Sequence, residues 1–232
     1  MRPAAGSIVV FAKQPRAGRV KTRLCPPLDP AVAAELYACM LEDVLHTTAA
    51  FAPQLGLDAL LAVHPPEACA ALARLAPAPF RVVAQRGAEL GSRMAWAVRE
   101  AAAAGVRKLL LRGSDSPFLD GNAVAAALAA LGRADLVISP DRDGGYGLVG
   151  LRRPAAELFE HPMSTRSVLD DTLANARRLG LSHELLEPGF DIDTARDLEL
   201  LARARGPHNA HLCPRTLALM DARDLWRAAA IE

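Results

Sequence analysis

The chain alternates short, nearly continuous apolar runs with longer segments whose apolar residues recur every three or four positions. Ile8–Ala12, Leu57–Val63, Phe80–Ala84, Lys108–Leu111 and Asp135–Ser139 are runs of the first kind and predict strands buried on both faces. Leu36, Met40, Leu41, Val44 and Leu45 share one face of a helix that opens at Asp29-Pro30 and reaches Phe51 before Pro53. A carboxylate cap followed by proline in the first turn marks its start. The pattern predicts a short helix over Pro66–Leu75, one over Leu90–Ala104 ended by Gly105, and an alanine-rich one over Asp120–Leu131 before Gly132. Leu148–Leu151 then reads as a strand, Arg166–Leu179 as a helix, His183–Leu186 as a short strand and Thr194–Ala204 as a helix.

Alternation of this kind predicts the α/β class: a single three-layer α/β/α domain with a mostly parallel sheet. At 232 residues the chain suits one domain, placed over residues 1–205. Residues 206–232 form a tail with a helix near Arg215–Ala229, which either docks on the domain or meets a second copy in a homodimer. No repeat of fixed period and no low-complexity linker interrupts the pattern.

Composition narrows the function. A chain 51% hydrophobic and 23% charged is globular rather than disordered. Six Phe, two Trp and two Tyr are too few for a base-stacking platform, so nucleic acid is not the expected partner. The four cysteines, Cys25, Cys39, Cys69 and Cys213, form no CxxC pair and read as free, mostly buried thiols. Ile8–Ala12 is too short for a signal-peptide core and no stretch reaches membrane-spanning length, which predicts a cytoplasmic protein without a membrane span.

The net charge of +1 conceals a segregation. Arg2, Lys13, Arg16, Arg19, Lys21 and Arg23 precede the first acid, whereas Glu184 to Glu199 holds Glu184, Glu187, Asp191, Asp193, Asp197 and Glu199 against Arg196 alone. Ligands of open α/β sheets bind beyond the carboxyl ends of the strands, so the segments after the strands carry the candidate chemistry.

After the first strand, Phe11 to Leu24 offers Lys13, Arg19, Lys21 and Arg23 around Gly18, with Phe11 and Ala12 at the strand end. Such cations match the oxygens of a di- or triphosphate, or form a solvated basic loop or polyanion patch. There is no GxGxxG and no Walker spacing. After the fourth strand, Gly113-Ser114-Asp115 places a carboxylate where a divalent ion bridging donor phosphates would sit; Asp115 equally suits a turn or helix cap. Asp191 and Asp193 share a face in extended backbone, and Asp115 with Asp193 supplies the pair of carboxylates magnesium takes; Asp193 or Thr194 alternatively caps the next helix.

After the fifth strand, Asp143, Gly144, Gly145 and Tyr146 bring backbone close to a ligand, with Asp143 available to hydroxyls or as a base, or they form an ordinary hairpin turn. Gln85, Gly91 and Arg93 follow the third strand and suit a base or ribose, or a loop and helix start. Ser164 and Thr165 precede a helix, where capping is the simplest role. His208, His211 and Cys213 are metal-ligand types at a spacing that matches no zinc pattern.

Six segments in order, FAKQPRAGRVKTRL, QRGAELGSRM, GSDSPFL, DGGYGLVGL, ELFEHPMSTRSVLDDT and DIDTARDL, resemble the GT-A-type nucleotide-diphospho-sugar transferase superfamily. Within it the chain is most similar to the radical-SAM/selenodomain-associated transferases, some of them described as arsenosugar-biosynthesis glycosyltransferases. The resemblance spans about Ile8 to Leu201. It implies a GT-A-type fold, metal (Mg²⁺ or Mn²⁺) on Asp115 and Asp193 with Asp191 beside them, and donor phosphates at Lys13, Arg19, Lys21 and Arg23. Acceptor contacts fall on Asp143, Gly144, Gly145, Tyr146, Ser164 and Thr165. Met163 and Gly147 stand where the family carries aromatic residues, which removes ring surface on the acceptor side. The basic head also resembles that of 2-phospholactate guanylyltransferases.

The leading expectation is therefore a metal-dependent glycosyltransferase moving a sugar from a nucleotide sugar to a small acceptor, with Asp115, Asp193, Asp143 and Lys21 as the catalytic set. The alternative is nucleotidyl transfer from a nucleoside triphosphate to a phosphorylated small molecule, releasing pyrophosphate. A nucleotide-binding module without turnover is the competitor of another class.

Overall fold

The first apolar run becomes β1 (Gly6–Lys13), which lies inside the sheet and is buried along most of its length. The structure is a computed structural model that describes residues 6–163, 165–203, 205–206 and 209–226. The strands that follow are β2 (Leu57–His64), β3 (Arg81–Ala84), β4 (Leu109–Arg112), β5 (Leu136–Pro140), β6 (Tyr146–Leu151) and β7 (His183–Leu185). They form one seven-stranded sheet in the order β3-β2-β1-β4-β6-β5-β7. Every pairing is parallel except those of β6, which runs antiparallel to both β4 and β5. The cause is local: only residues 141–145 join β5 to β6, and a tight turn can connect only antiparallel neighbours.

Helices cover both faces. Ile8, Val10 and Leu61 point to the side packed by α1 (Pro30–Phe51), α2 (Cys69–Ala73) and α4 (Gly121–Ala130). Val9, Leu111, Ile138 and Val149 point to the side packed by α3 (Leu90–Ala103) and α5 (Val168–Arg178). The caps act as the sequence predicts: Asp29 accepts the Ala31 N–H (2.8 Å) and Asp120 the Ala123 N–H (2.9 Å). The helix expected over Pro66–Leu75 is shorter, a 3₁₀ turn over Pro66–Ala68 leading into α2. Among the described residues no helix is long and apolar enough to cross a membrane.

A third apolar cluster positions the site. The basic loop contributes Val20, Leu24 and Leu28, and these pack with Leu36, Tyr37 and Met40 of α1 and with buried Ile192. Leu198 and Leu201 of α6 (Ala195–Arg203) and Leu217 and Met220 of α7 (Pro214–Ala222) complete it. The expected last helix, Arg215–Ala229, thus ends earlier, at Ala222; Asp224 has a left-handed backbone (φ 49°), and residues 227–229 lie outside the described residues. His208 also lies outside them, whereas Cys213 is fully buried in this cluster. Cys25, Cys39 and Cys69 are half-buried rather than buried, and all four thiols are free.

The tail docks in cis on α1. Buried Asp43 accepts hydrogen bonds from the Thr216 N–H (2.8 Å), the Thr216 hydroxyl (2.7 Å) and the Arg215 N–H (3.2 Å). Removing that carboxylate strands the donors of α7 in the cluster beneath the basic loop. Asp43→Ala should cost about 3 kcal/mol, or roughly 6 °C or more in Tm for a chain of this size. Thermal denaturation measures it, and a Tm within about 2 °C of the parent would contradict this account of the docking.

Candidate functional site

At the carboxyl ends of β1, β4 and β5 the chain leaves a crevice of about 1040 Å³. Its floor begins with the ends of β1 and β4. The Lys13 N–H donates to the Tyr37 hydroxyl (2.9 Å), which lies in a second hydrogen bond with Ser114 Oγ (2.8 Å). Gln85 spends its amide nitrogen on the carbonyls of Ala12 (3.1 Å) and Ala62 (2.8 Å), tying β1 to β2. Buried Arg112 donates to Thr48 Oγ1 (2.9 Å), the Leu119 carbonyl (3.3 Å) and the Ser116 carbonyl (3.0 Å), which shapes the loop carrying Asp115. Burial pushes its guanidinium down to about 10 despite the opposing pull of Asp115.

Lys21 joins the two charge-segregated parts of the chain. Its backbone is left-handed (φ 48°), and its side chain, 5% exposed, places Nζ 2.8 Å from Asp115 Oδ2 and 3.5 Å from Asp193 Oδ1. Arg23 pairs with the other oxygen of Asp193. The backbone repeats the link, since the Ile192 N–H donates to the Asp115 carbonyl (3.0 Å). Burial disfavours the ammonium, but Asp115, Asp193 and Asp191 more than offset it and hold Lys21 above the ordinary lysine range. Burial likewise disfavours the Asp115 carboxylate, and Lys21 outweighs it, so Asp115 is held below the usual carboxylate value.

Asp191 and Asp193 both line the crevice with Ile192 buried between them, as extended alternation predicts. Asp193 does not cap the following helix. That work falls to Asp197, whose Oδ2 accepts the Asp193 N–H (3.1 Å), the Thr194 N–H (2.6 Å) and the Thr194 hydroxyl (2.8 Å).

At a second pair of acids burial and like charge prevail, although Lys21 opposes them at Asp191. Burial, then repulsion from Asp191 and Asp115, pushes Asp141 up to about 8. Burial and Asp115 push Asp191 up to about 7. Asp141 Oδ1 is buried without a hydrogen-bond partner, close to where side chains at Gly147 and Gly189 would stand. Asp143, two residues on, accepts the Gly145 N–H (2.9 Å), so the hairpin turn and the crevice wall are the same residues. The Tyr146 hydroxyl is tied to Thr172 (3.2 Å).

Most candidates from the sequence meet here. Phe11, Ala12, Lys13, Arg19 and Arg23 line the crevice on the β1 side, and Gln85 and Arg93 beside them. Gly113, Ser114 and Asp115 line it at β4; Asp143, Gly145, Tyr146 and Thr165 line the far wall. Gly18 (φ 69°), Gly91 and Gly144 (φ 92°) do not line it and instead allow turns or close packing; a side chain at Gly91 would meet the Phe159 carbonyl at 2.5 Å. Ser164 lies outside the described residues.

The sequence reading passed over Tyr37, Arg112, Asp141, Arg142 and Arg166, all of which line the crevice. Arg112 had a signal, a cation ending an apolar strand, and Asp141 had one in its spacing from Asp143. Tyr37 had none, being one more residue on a helix face.

Comparison with known proteins follows the same lines. A family model described as "Uncharacterized protein conserved in bacteria (DUF2064)" matches residues 47–165. The phosphoenolpyruvate guanylyltransferase of Sphaerobacter thermophilus is 33% identical over 192 residues, covering 81% of this chain and 88% of that protein. That of Chloroflexus aggregans is 28% identical over 194 residues, covering 81% and 93%. Among solved structures, a Desulfovibrio desulfuricans G20 protein described as a nucleotide-diphospho-sugar transferase superposes with a TM-score of 0.84 at 29% identity, covering 97% of this chain and 98% of that one. A cytidylyltransferase of Leptospira borgpetersenii shares the fold at 12% identity with a TM-score of 0.57, covering 96% and 95%.

The buried acid pair gives a pH test. An unfolded Asp ionises near 3.8, while native Asp141 keeps its proton up to about 8. The native state therefore loses stability relative to the unfolded chain as pH rises between those values. Asp141→Asn escapes this loss. In metal-free buffer its Tm advantage should grow from pH 5 to pH 8, by roughly 8 °C, and then level off. An advantage that is flat with pH would show that the carboxyl is not perturbed as described.

Proposed function

The chain belongs to the DUF2064 family, and from that premise we propose that it is a nucleotidyltransferase that moves GMP from GTP to the phosphate of a small phosphorylated acceptor, releasing pyrophosphate. The observation that carries this reading is the β1 loop: Lys13 and Arg19 line the crevice and, among the described residues, pair with no carboxylate, beside Lys21 and Arg23, which pair with Asp115 and Asp193. The guanylyltransferase relatives support the same choice. Glycosyl transfer, placed first from sequence, becomes the second reading.

The acceptor phosphate oxygen attacks the α-phosphorus as the bond to the bridging oxygen of the β-phosphate breaks, and pyrophosphate leaves with that electron pair. An acceptor phosphate is already anionic, so no general base is required, which agrees with Asp143 spending a carboxylate oxygen on its own turn. Lys13, Arg19 and Arg23 neutralise the charge that grows on pyrophosphate, by positioning and electrostatics. Lys21 holds Asp115 and Asp193 in register. Arg93, whose buried Nε lacks a partner, lines the crevice near Gln85; an arginine fork suits guanine O6 and N7.

Asp115, Asp193 and Asp191 would hold Mg²⁺ or Mn²⁺. The donor set fits: hard oxygens, few enough that water and phosphates complete the shell, beside an unpartnered buried oxygen of Asp141. Among the described residues no three His, Cys, Asp or Glu side chains are grouped closely enough to hold an ion by themselves, so the donor's phosphates and water would have to complete the shell. When bound, the ion supplies further neutralisation of the donor phosphates.

Incubating the protein with GTP and phosphoenolpyruvate should release pyrophosphate, and Asp115→Asn should lower kcat by about 100-fold or more. A coupled pyrophosphate assay reads both. Turnover of a nucleotide sugar with no pyrophosphate from any nucleoside triphosphate would overturn the reading, and nucleotide binding without any turnover would favour a non-catalytic module.

A further inference from the structure

The floor of the crevice holds a hydroxyl whose proton the protein leaves unclaimed. Ser114 follows β4, lines the crevice and is 4% exposed. Among the described residues its Oγ has a single hydrogen-bond partner, the Tyr37 hydroxyl, at 2.8 Å. Tyr37, on α1, is also 4% exposed, and its oxygen has one further partner, the Lys13 N–H at 2.9 Å.

The protons available fix the direction of these bonds. A backbone N–H can only donate, so the phenol oxygen accepts from Lys13. Burial outweighs the two hydrogen bonds and raises the Tyr37 phenol above its ordinary value, so that oxygen keeps its own proton. Were Ser114 also to donate to it, the phenol proton would be buried with nothing to receive it. Tyr37 therefore donates to Ser114 Oγ, and the serine proton is left for another acceptor. Among the described residues the protein supplies none.

Both residues are held in place. On one side of Ser114 the Gly113 N–H donates to the Gly147 carbonyl (3.1 Å), and on the other the Asp115 carbonyl accepts the Ile192 N–H (3.0 Å). Tyr37 is packed with Val20 and Leu24 of the basic loop and with Leu36 and Met40 of its own helix. The unspent proton thus lies where the end of β1 meets the loop carrying Asp115. Lys13 and Arg19, unpaired among the described residues, line the same crevice, so the oxygen brought to Ser114 is an anionic one.

We propose that Ser114 is a ligand-binding donor that gives its hydroxyl proton to a non-bridging phosphate oxygen of the nucleotide, and that Tyr37 is the positioning residue that holds it in that role. This rests on the nucleotidyl-transfer reading for its ligand and assigns two residues of that same site. By filling one lone pair of Oγ, Tyr37 turns a group able to donate or accept into one committed to donating. Phosphate oxygens are strong acceptors, and a bond to one is charge-assisted. The chain from Lys13 N–H through Tyr37 and Ser114 to the phosphate then polarises each bond in one direction.

Four proteins test this: the parent, Ser114→Ala, Tyr37→Phe and the double variant. Calorimetry titrates each with α,β-methylene-GTP, which cannot transfer, and with inorganic pyrophosphate, which has phosphates but no base or sugar. Ser114→Ala should weaken binding of both probes by about tenfold or more. Tyr37→Phe keeps the ring and removes the hydroxyl. It should weaken binding by about fivefold alone, and by less than about twofold in the Ser114→Ala background. A tyrosine with a merely structural role would cost the same factor in both backgrounds.

Unchanged affinity in Ser114→Ala, equal effects of Tyr37→Phe in the two backgrounds, or a parent that binds neither probe overturns the proposal. Pyrophosphate release from GTP alongside any of these outcomes leaves the nucleotidyl-transfer reading standing. The expected coupling without pyrophosphate release from any nucleoside triphosphate overturns that reading alone. Thermal denaturation checks that each variant folds, and the Ser114→Ala titration decides against the proposal by itself if affinity there is unchanged.

Discussion

The site depends on one buried ammonium. Lys21 sits between Asp115, 94 residues away in sequence, and Asp193, 172 residues away, with almost no exposure to water. Burying that ammonium alone would cost several kcal/mol, so it is tolerable only beside Asp115 and Asp193, whose own side chains keep partial contact with water. The contact therefore acts as a requirement: the loop after β4 and the segment before α6 must meet the loop after β1, or Lys21 is left buried without a partner.

The apolar cluster under the loop makes that closure possible. Val20 and Leu24 fix the loop on α1, Ile192 fixes the acidic segment, and α7 closes the cluster through Asp43. The near-neutral total charge of the chain is thus the sum of two opposed segments that fold against each other. What Lys21 does not neutralise, at Asp141 and Asp191, remains as a demand for positive charge facing the crevice, and the free cations lining it remain as a demand for anions. Both follow from the same geometry, and both suit the transfer of a nucleotide between two anionic partners.

The layered architecture was legible because it rests on local periodicity. Apolar runs marked the strands and three-to-four spacing marked the helices. The direction of β6 was not legible, since an apolar run has no polarity of its own; only the brevity of the turn over residues 141–145 decides it. The candidate acids and bases were found because strand ends in open sheets are where ligands bind. Their division of labour was not. Asp143 attracted notice next to two glycines, yet its carboxylate serves the turn, while Asp141 is the buried acid. Arg142 and Arg166 come to the same crevice because Gly144 packs on a carbonyl more than twenty positions downstream, a contact no local pattern encodes.

The central claim is that Lys21 organises the loop that receives the donor's phosphates. Calorimetric titration of α,β-methylene-GTP into Lys21→Met compares the loop with and without its anchor. The account predicts binding weaker by about tenfold or more, through lost order in the loop and lost positive charge. Affinity equal to that of the parent protein would contradict it.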